Sequence, residues 1–556
     1  MNMNNDISGG PMLNAYPDSM GGTLYDIVDI LGQEEFLNVF DSLYILPSIF
    51  NTDLDRGFSV IDYKLNENLV TMEDLAVLRN MRINLKLDFV LNHLSTQSTP
   101  FQDILKNGKE SSYLDFFLDW NKFWDGFGDM TEAGYIQPYA ALLEDMFFRK
   151  PGLPILMVKL PDGSDIPYWN TFYQKVIYDK LNPFVLLQTI DIEYPIACIL
   201  SEIVNRQLEL NVLPQDMNFE AYSNYKNAVI NLLEGKKKYL GQMDLNINSP
   251  MVWQYYDDTL QTLADYGASI VRLDAFAYAS KIPGKRNFLN EPETWELLQK
   301  IQQLADQYNL TLLPEIHSSY SEHTYEKLAE KGYITYDFFL PGLIIDALES
   351  GSGELLAKWA KELYEKNIGV INMLGCHDGI PLLDLKGLLS EERINALINI
   401  VVSRGGLVKE LHGQKNIYYQ VNATYYSALG NNDQKMLLAR ALQIFMPGKP
   451  QVWYLDLFAG SNDYEAVTRA DGDGHKDINR TNLTRHEIAD RLKSDVVKQQ
   501  LNLLRLRNTC PAFGMDANLQ ICSDGPNLYI QWKKGANRIK LSANLQTFEY
   551  CINEIT

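Results

Sequence analysis

Short, continuously apolar runs alternate along this chain with longer stretches in which apolar residues recur at helical spacing, the pattern of a parallel α/β protein. Eight runs predict strands: Pro11–Tyr16, Ser42–Pro47, Leu85–Leu91, Ser269–Leu273, Thr311–Ile316, Tyr333–Phe339, Val370–Leu374 and Gln451–Leu455. Their composition is that of strands buried on both faces, as parallel strands covered by helices must be. Helix signals fall between them. Thr71-Met-Glu-Asp74 resembles a capping box, Ser249-Pro250 reads as an N-cap followed by an N1 proline, Glu291–Tyr308 carries a helical apolar period, and Ser390-Glu-Glu-Arg393 opens a further helix. Eight strands with crossover helices predict a (β/α)₈ TIM barrel, although a doubly wound sheet gives a similar count.

Two stretches break the rhythm. Residues 94–246 are rich in aromatics and too long for one βα loop, so they predict an inserted domain, with an extra helical segment at about 173–241. A second insertion is expected at 380–430. Barrel segments then cover 1–93, 247–379 and 431–510. From Pro511 the pattern changes to short runs, such as Leu528–Trp532 and Arg538–Ala543, separated by Gly, Asn and Ser; residues 511–556 predict a small C-terminal β domain.

The chain has 556 residues, 46% of them apolar, enough to form a core without disulfides or metals. Its 71 acidic and 49 basic residues leave a net charge of −22, which repels nucleic-acid phosphates and gives no attraction to an anionic membrane. Cys198, Cys376, Cys510, Cys522 and Cys551 show no ligand spacing and read as reduced thiols. The opening MNMNNDISGG lacks a basic and then apolar leader, and no apolar run reaches membrane-spanning length. The expected location is the cytoplasm.

Charge becomes informative at the strand ends, where barrel enzymes place their active sites. The third strand ends Asp88-Phe-Val-Leu-Asn92-His93, the fourth Arg272-Leu-Asp274, the fifth Glu315-Ile-His317 and the seventh reaches His377-Asp378. Any one of these reads equally well as a cap or surface group, but four at one rim are hard to explain structurally. The set suits glycosyl transfer through an oxocarbenium-like transition state, which needs one ionised carboxylate and one protonated carboxyl. Asp274 is expected to stay ionised beside Arg272, and Glu315, approached by Leu312, Leu313 and Pro314, to have its pKa raised by partial burial. Asp378, His93 and His377 would bind sugar hydroxyls. No GxxxxGK[ST] loop, carboxylate metal cage or HExxH pattern is present, so phosphoryl transfer and zinc hydrolysis are disfavoured. No metal or cofactor is expected.

The segments DFVLNH, VRLDAFAY, PEIH and CHDGI, in that order, resemble the four signature regions of glycoside hydrolase family 13, the α-amylase superfamily. That resemblance implies Asp274 as nucleophile, Glu315 as acid/base, Asp378 as the transition-state-stabilising carboxylate, and Arg272, His93 and His377 as glucose contacts. Within the family the chain is similar to sucrose phosphorylases and their relatives, through Asp55-Arg-Gly-Phe58 with Ile61-Asp62, Leu273-Asp-Ala275 with Tyr278 and Lys281, Glu315-Ile-His317-Ser318, Val421–Leu429 and Asp477-Ile-Asn-Arg480. By that similarity Asp55 and Phe58 line the glucose subsite, Tyr278 and His317 border the acceptor side, and Gln242 sits near the nucleophile. The implied reaction transfers glucose to inorganic phosphate through a covalent glucosyl-enzyme, giving α-glucose 1-phosphate.

Three departures are expected to face the leaving group. Lys476 stands where the group has arginine, the loop Pro381–Leu389 is short, and residues 173–241 are extra. The resemblance implies that relatives acting on sucrose 6-phosphate or glucosylglycerol share the short loop, which leaves the leaving group open. Arg149-Lys150 offers positive charge for phosphate, or is an ordinary solvated pair. The alternatives are an α-glucosidase or transglucosylase on the same scaffold, and a carbohydrate-binding homologue without catalysis; a homodimer is compatible with either.

Overall fold

The computed structural model describes residues 9–146, 148, 152–410, 418–470, 474–514 and 516–555; Arg149 and Lys150 lie outside them. Eight parallel strands form one sheet: β1 (Met12–Ala15), β2 (Ser42–Ile45), β3 (Asn84–Val90), β4 (Ala268–Asp274), β5 (Thr311–Pro314), β6 (Thr335–Asp337), β7 (Val370–Met373) and β8 (Lys449–Trp453). The ladder runs β5-β4-β3-β2-β1-β8-β7-β6, so it curls through seven parallel pairings into a nearly closed barrel. The remaining seam is between β5 and β6, where no ladder pairing is formed among the described residues. This is the TIM barrel that the alternation predicts, with extra elements and a C-terminal sheet.

All eight expected strands are present, in order. The largest displacement is in β8, which starts two residues before the expected Gln451. Lys449 reads in sequence as the end of a loop, yet it is buried, and its Nζ donates to the Gly10 carbonyl at 2.8 Å and pairs with Asp41 at 2.5 Å. β6 is shorter than its apolar run, because Asp337 turns the chain. Its Oδ1 accepts from the Phe339 and Leu340 amides, while the Trp359 indole donates to Oδ2 at 3.0 Å.

The helix signals also act as read. Thr71 and Asp74 form a capping box for Met72–Asn80, Pro250 opens Pro250–Asp265, and the Ser390 side chain accepts from the Arg393 amide at the start of Glu391–Ser403.

The long excursion after β3 returns as an antiparallel sheet. His93–Ser95 pairs with Lys238–Asp244, which pairs on its other edge with Gln174–Ile177. Three helices, Pro183–Thr189, Tyr194–Glu209 and Lys226–Gly235, are threaded between those last two strands and bury a small cluster of their own, including Leu186, Leu200, Val204, Val229 and Leu233. A second cluster of Trp120, Trp124 and Trp169 packs beneath the hairpin Ile155–Lys159/Asp165–Trp169. Residues 518–555 contribute a four-stranded antiparallel sheet, whose Trp532 indole donates to the Phe445 carbonyl of the barrel at 2.8 Å. No single helix among the described residues is long and apolar enough to cross a membrane.

Candidate active site

The barrel floor is polar, and its polarity rises along β3. Strand alternation sends Lys86 and Asp88 to the same face. The Lys86 ammonium is fully buried, donates to Gln451 Oε1 at 2.7 Å and also bonds the Tyr336 hydroxyl, and lies 3.8 Å from the centre of the Tyr44 ring. Two residues further along the strand, both oxygens of Asp88 lie 2.9 Å from the Tyr44 hydroxyl.

Asp88 in turn holds Arg272, its register partner on β4. Arg272 Nη1 reaches Asp88 Oδ1 at 2.5 Å and Asp274 Oδ1 at 2.9 Å, while Nη2 reaches Glu315 Oε1 at 2.6 Å. One buried guanidinium therefore gathers carboxylates from the ends of three adjacent strands. Its fixed planar fork can do this, where a lysine point charge could not. Ala275, which follows Asp274, sits at φ 51, a left-handed conformation that turns the chain sharply away after the strand.

The charge states differ from the sequence expectation. Glu315 is not raised. Burial acts against its charge, but Arg272 and His317 outweigh burial and hold it down to about 2. For Asp274 the balance is reversed: burial, with Glu315, Asp88 and Asp378 nearby, outweighs Arg272 and raises its pKa well above the usual range. The Arg272–Asp274 contact is present as expected, but the same arginine also binds Glu315, and the two carboxyls compete for it. Arg272 and His317 thus favour the charged form of Glu315, while burial disfavours the charged form of Asp274.

A second charged group lies opposite. Asp378 pairs with Lys476 at 2.6 Å, lies 3.2 Å from His377 Nε2 and 3.7 Å from Arg480 Nη2. Burial opposes the Asp378 charge, but His377, Lys476 and Arg480 keep it well below its ordinary value. Arg480 also comes within 3.6 Å of Asp55, and its Nε donates to the His377 carbonyl. Asp55, Arg56 and Gly57 all have positive φ, and a Cβ at Gly57 would stand 2.4 Å from the Ser48 amide nitrogen. The tight turn that presents Asp55 therefore requires glycine there. Lys476 was expected across the cleft with the leaving group; it lies instead against Asp378, on the side assigned to glucose.

Phe58 stacks on His377 with 5.0 Å between ring centres and 12° between planes. Its carbonyl accepts from His93 Nε2 at 2.9 Å and from Gln242 Nε2 at 3.1 Å. His93, whose pKa is lowered chiefly by burial, is a neutral ring with its proton on Nε2. Tyr278 packs between Phe172 and Phe288, with ring centres 5.2 and 4.8 Å away.

Sequence reasoning passed over two anchoring carboxylates. Asp244 pairs with Lys281 at 2.7 Å and accepts from Asn92 and Thr171, tying the inserted segment to the barrel mouth. Asp384 Oδ2 lies 2.9 Å from His317 Nδ1. The only sequence signal for the latter was a lone acid within the apolar loop Pro381–Leu389. Among the described residues no group of three or more His, Cys, Asp and Glu is arranged to hold a metal ion.

A (β/α)₈ barrel whose mouth gathers three carboxylates around arginine and histidine defines a carbohydrate-active enzyme of the α-amylase type. No family model matches the chain. It is 47% identical over 551 residues to a sucrose 6(F)-phosphate phosphorylase of Ilumatobacter coccineus, covering 97% of this chain and 95% of that protein. It is 30% identical to a sucrose phosphorylase of Streptococcus mutans, over 98% of this chain and 97% of that one. The crystal structure of sucrose 6F-phosphate phosphorylase from Thermoanaerobacter thermosaccharolyticum superposes with a TM-score of 0.80 at 32% identity, covering 100% of this chain and 96% of the other. The chain belongs to the sucrose phosphorylase group of glycoside hydrolase family 13, and is a glucoside phosphorylase.

Proposed function

We propose that the enzyme phosphorolyses sucrose phosphorylated on the fructose C6 hydroxyl, releasing fructose 6-phosphate and α-glucose 1-phosphate with retention at the anomeric carbon. The observation that carries the mechanism is the single arginine holding both Asp274 and Glu315. An Asp274 oxygen attacks C1 as the bond to the fructosyl oxygen breaks, and Glu315 gives that oxygen its proton. A phosphate oxygen then attacks C1, the ester to Asp274 breaks, and the phosphate proton passes to Glu315. Asp378 and the Asp55–Arg480 pair bind glucose hydroxyls, Phe58 and His377 form a stacking wall, and His93, Gln242 and Tyr278 shape the rim. Lys476 pairs with Asp378 and offsets its charge. Segments 94–246 and 380–430 act as inserted domains that wall the cleft. The five cysteines are unpaired, which supports a cytoplasmic location.

The donor reading rests on the 47% identical relative and on the positive charge that His317 brings to the acceptor side. The short loop Pro381–Leu389 offers few polar side chains to an unphosphorylated fructosyl ring, and each unmade buried hydrogen bond costs roughly 1–3 kcal/mol. Sucrose itself is the second reading, favoured by the Streptococcus mutans relative. Comparing kcat/KM for sucrose, sucrose 6-phosphate, glucosylglycerol and glucosylglycerate decides. Sucrose 6-phosphate is expected to exceed sucrose by about tenfold or more; parity, or a lead for sucrose, defeats the reading.

Retention has its own check. Proton NMR of early phosphorolysis should show α-glucose 1-phosphate first, as a double displacement through a glucosyl-Asp274 ester requires. A β product at early times rules out the double displacement.

A further inference from the structure

His317 stands just beyond β5 with a defined partner at each ring nitrogen and on one face. Its Nδ1 lies 2.9 Å from Asp384 Oδ2, its Nε2 lies 3.6 Å from Glu315 Oε1, and its ring stacks on Phe338 with 3.8 Å between centres. Asp384 is supplied by a single 3₁₀ turn, Leu383–Leu385, as the one acid of the loop Pro381–Leu389, and only 8% of it is exposed. A carboxylate so placed is costly unless paired. Among the described residues, His317 is the one cationic side chain within ion-pair distance of it.

The loop is also held in place. The Ser321 amide donates to the Lys386 carbonyl at 3.1 Å, and a Cβ on Gly387, at φ 98, would come within 2.9 Å of the Ser321 Cβ.

We propose that Asp384 is a positioning residue that keeps His317 a doubly protonated imidazolium, making the acceptor side an oxyanion site for inorganic phosphate. With Nδ1–H donated to Asp384, the second proton is on Nε2 and faces Glu315, where the attacking phosphate must stand to hand over its own proton. The groups facing the ring are Asp384 from the loop, Glu315 from β5, neutral Phe338 beyond β6 and, behind Glu315, Arg272 from β4. Burial alone would strip the ring of charge, but Asp384 and Glu315 push its pKa up to about 10. This inference rests on the reading that His317 borders the acceptor side, but not on which donor is used.

The test uses α-glucosyl fluoride as donor, so the identity of the natural leaving group does not enter. In Asp384→Asn, KM for phosphate is expected to rise about tenfold or more, as a charge-assisted bond is lost. Hydrolysis of the fluoride, whose acceptor is neutral water, should fall less than about threefold.

In the variant His317 reverts toward an ordinary histidine, charged below and neutral above about pH 6.5. The variant-to-wild-type ratio of KM for phosphate should therefore climb between about pH 6 and pH 8. Asp384→Glu, which keeps the charge, should recover part of the phosphate affinity and guards against a folding defect in the asparagine variant. Labelled imidazole spectra of the seven histidines, with His317→Gln to assign the signal, report protonation directly. A phosphate KM unchanged in Asp384→Asn, or a His317 signal still protonated at pH 8 in that variant, overturns the proposal. If the donor panel favours sucrose while these results hold, only the donor reading fails.

Discussion

Replacing Asp274 with alanine should lower turnover by about 10⁴-fold or more, about 5.4 kcal/mol of transition-state stabilisation, and leave the barrel folded. The side chain is at the mouth of β4, outside the packed floor, and its loss does not isolate the buried guanidinium, because Asp88 and Glu315 still bind Arg272. Removing Arg272 would be the more damaging change to stability, since Asp88, Asp274 and Glu315 would lose the cation they share. Azide provides a positive control. An external anion entering the space vacated by Asp274 attacks the face opposite the leaving group, so Asp274→Ala with α-glucosyl fluoride should form β-glucosyl azide. Activity within about a hundredfold of wild type would show that Asp274 is not the nucleophile.

Glu315→Gln should cost about 10³-fold with a sugar leaving group and far less with fluoride, which departs without a proton. On the proposed assignment Glu315 gives its proton to the leaving oxygen, a step open to a carboxyl and closed to an amide. The deficit of the glutamine variant should therefore scale with the basicity of that oxygen. An equal loss for fluoride and for sugar donors would assign Glu315 a binding role instead.

Much of this architecture was legible in the sequence because a parallel strand covered on both faces must be apolar at consecutive positions, and eight such runs stand out. What misled was polarity inside the barrel. Lys449 looks like a loop residue because its partners, Gly10 and Asp41, come from the far end of the chain. The clustering of Asp274, Glu315 and Asp378 at the barrel mouth was legible from their strand-end positions, but the direction of their pKa shifts was not. Two-residue spacing on one strand shows that Arg272 can reach Asp274. It does not show that the same fork spans to β5 and takes Glu315 as well. Asp384 was missed for a similar reason: nothing in Pro381–Leu389 indicates that its single acid meets a histidine 67 positions earlier.

The unpaired seam of the barrel divides the pocket into a stiff half and a compliant half. β5 is laddered to β4 along one edge only, and Glu315 and His317 follow directly after it. Strands β3, β4 and β7, which present His93, Asp274 and Asp378, are each laddered on both sides. Small excursions along an unpaired edge cost less than those of a strand bonded on both sides. On the proposed roles, Glu315 and His317, which would meet the departing sugar, can thus shift as a unit while the residues that would bind glucose stay fixed. A scaffold with that division of stiffness can exchange one leaving group for another through loop changes alone, keeping glucose recognition intact.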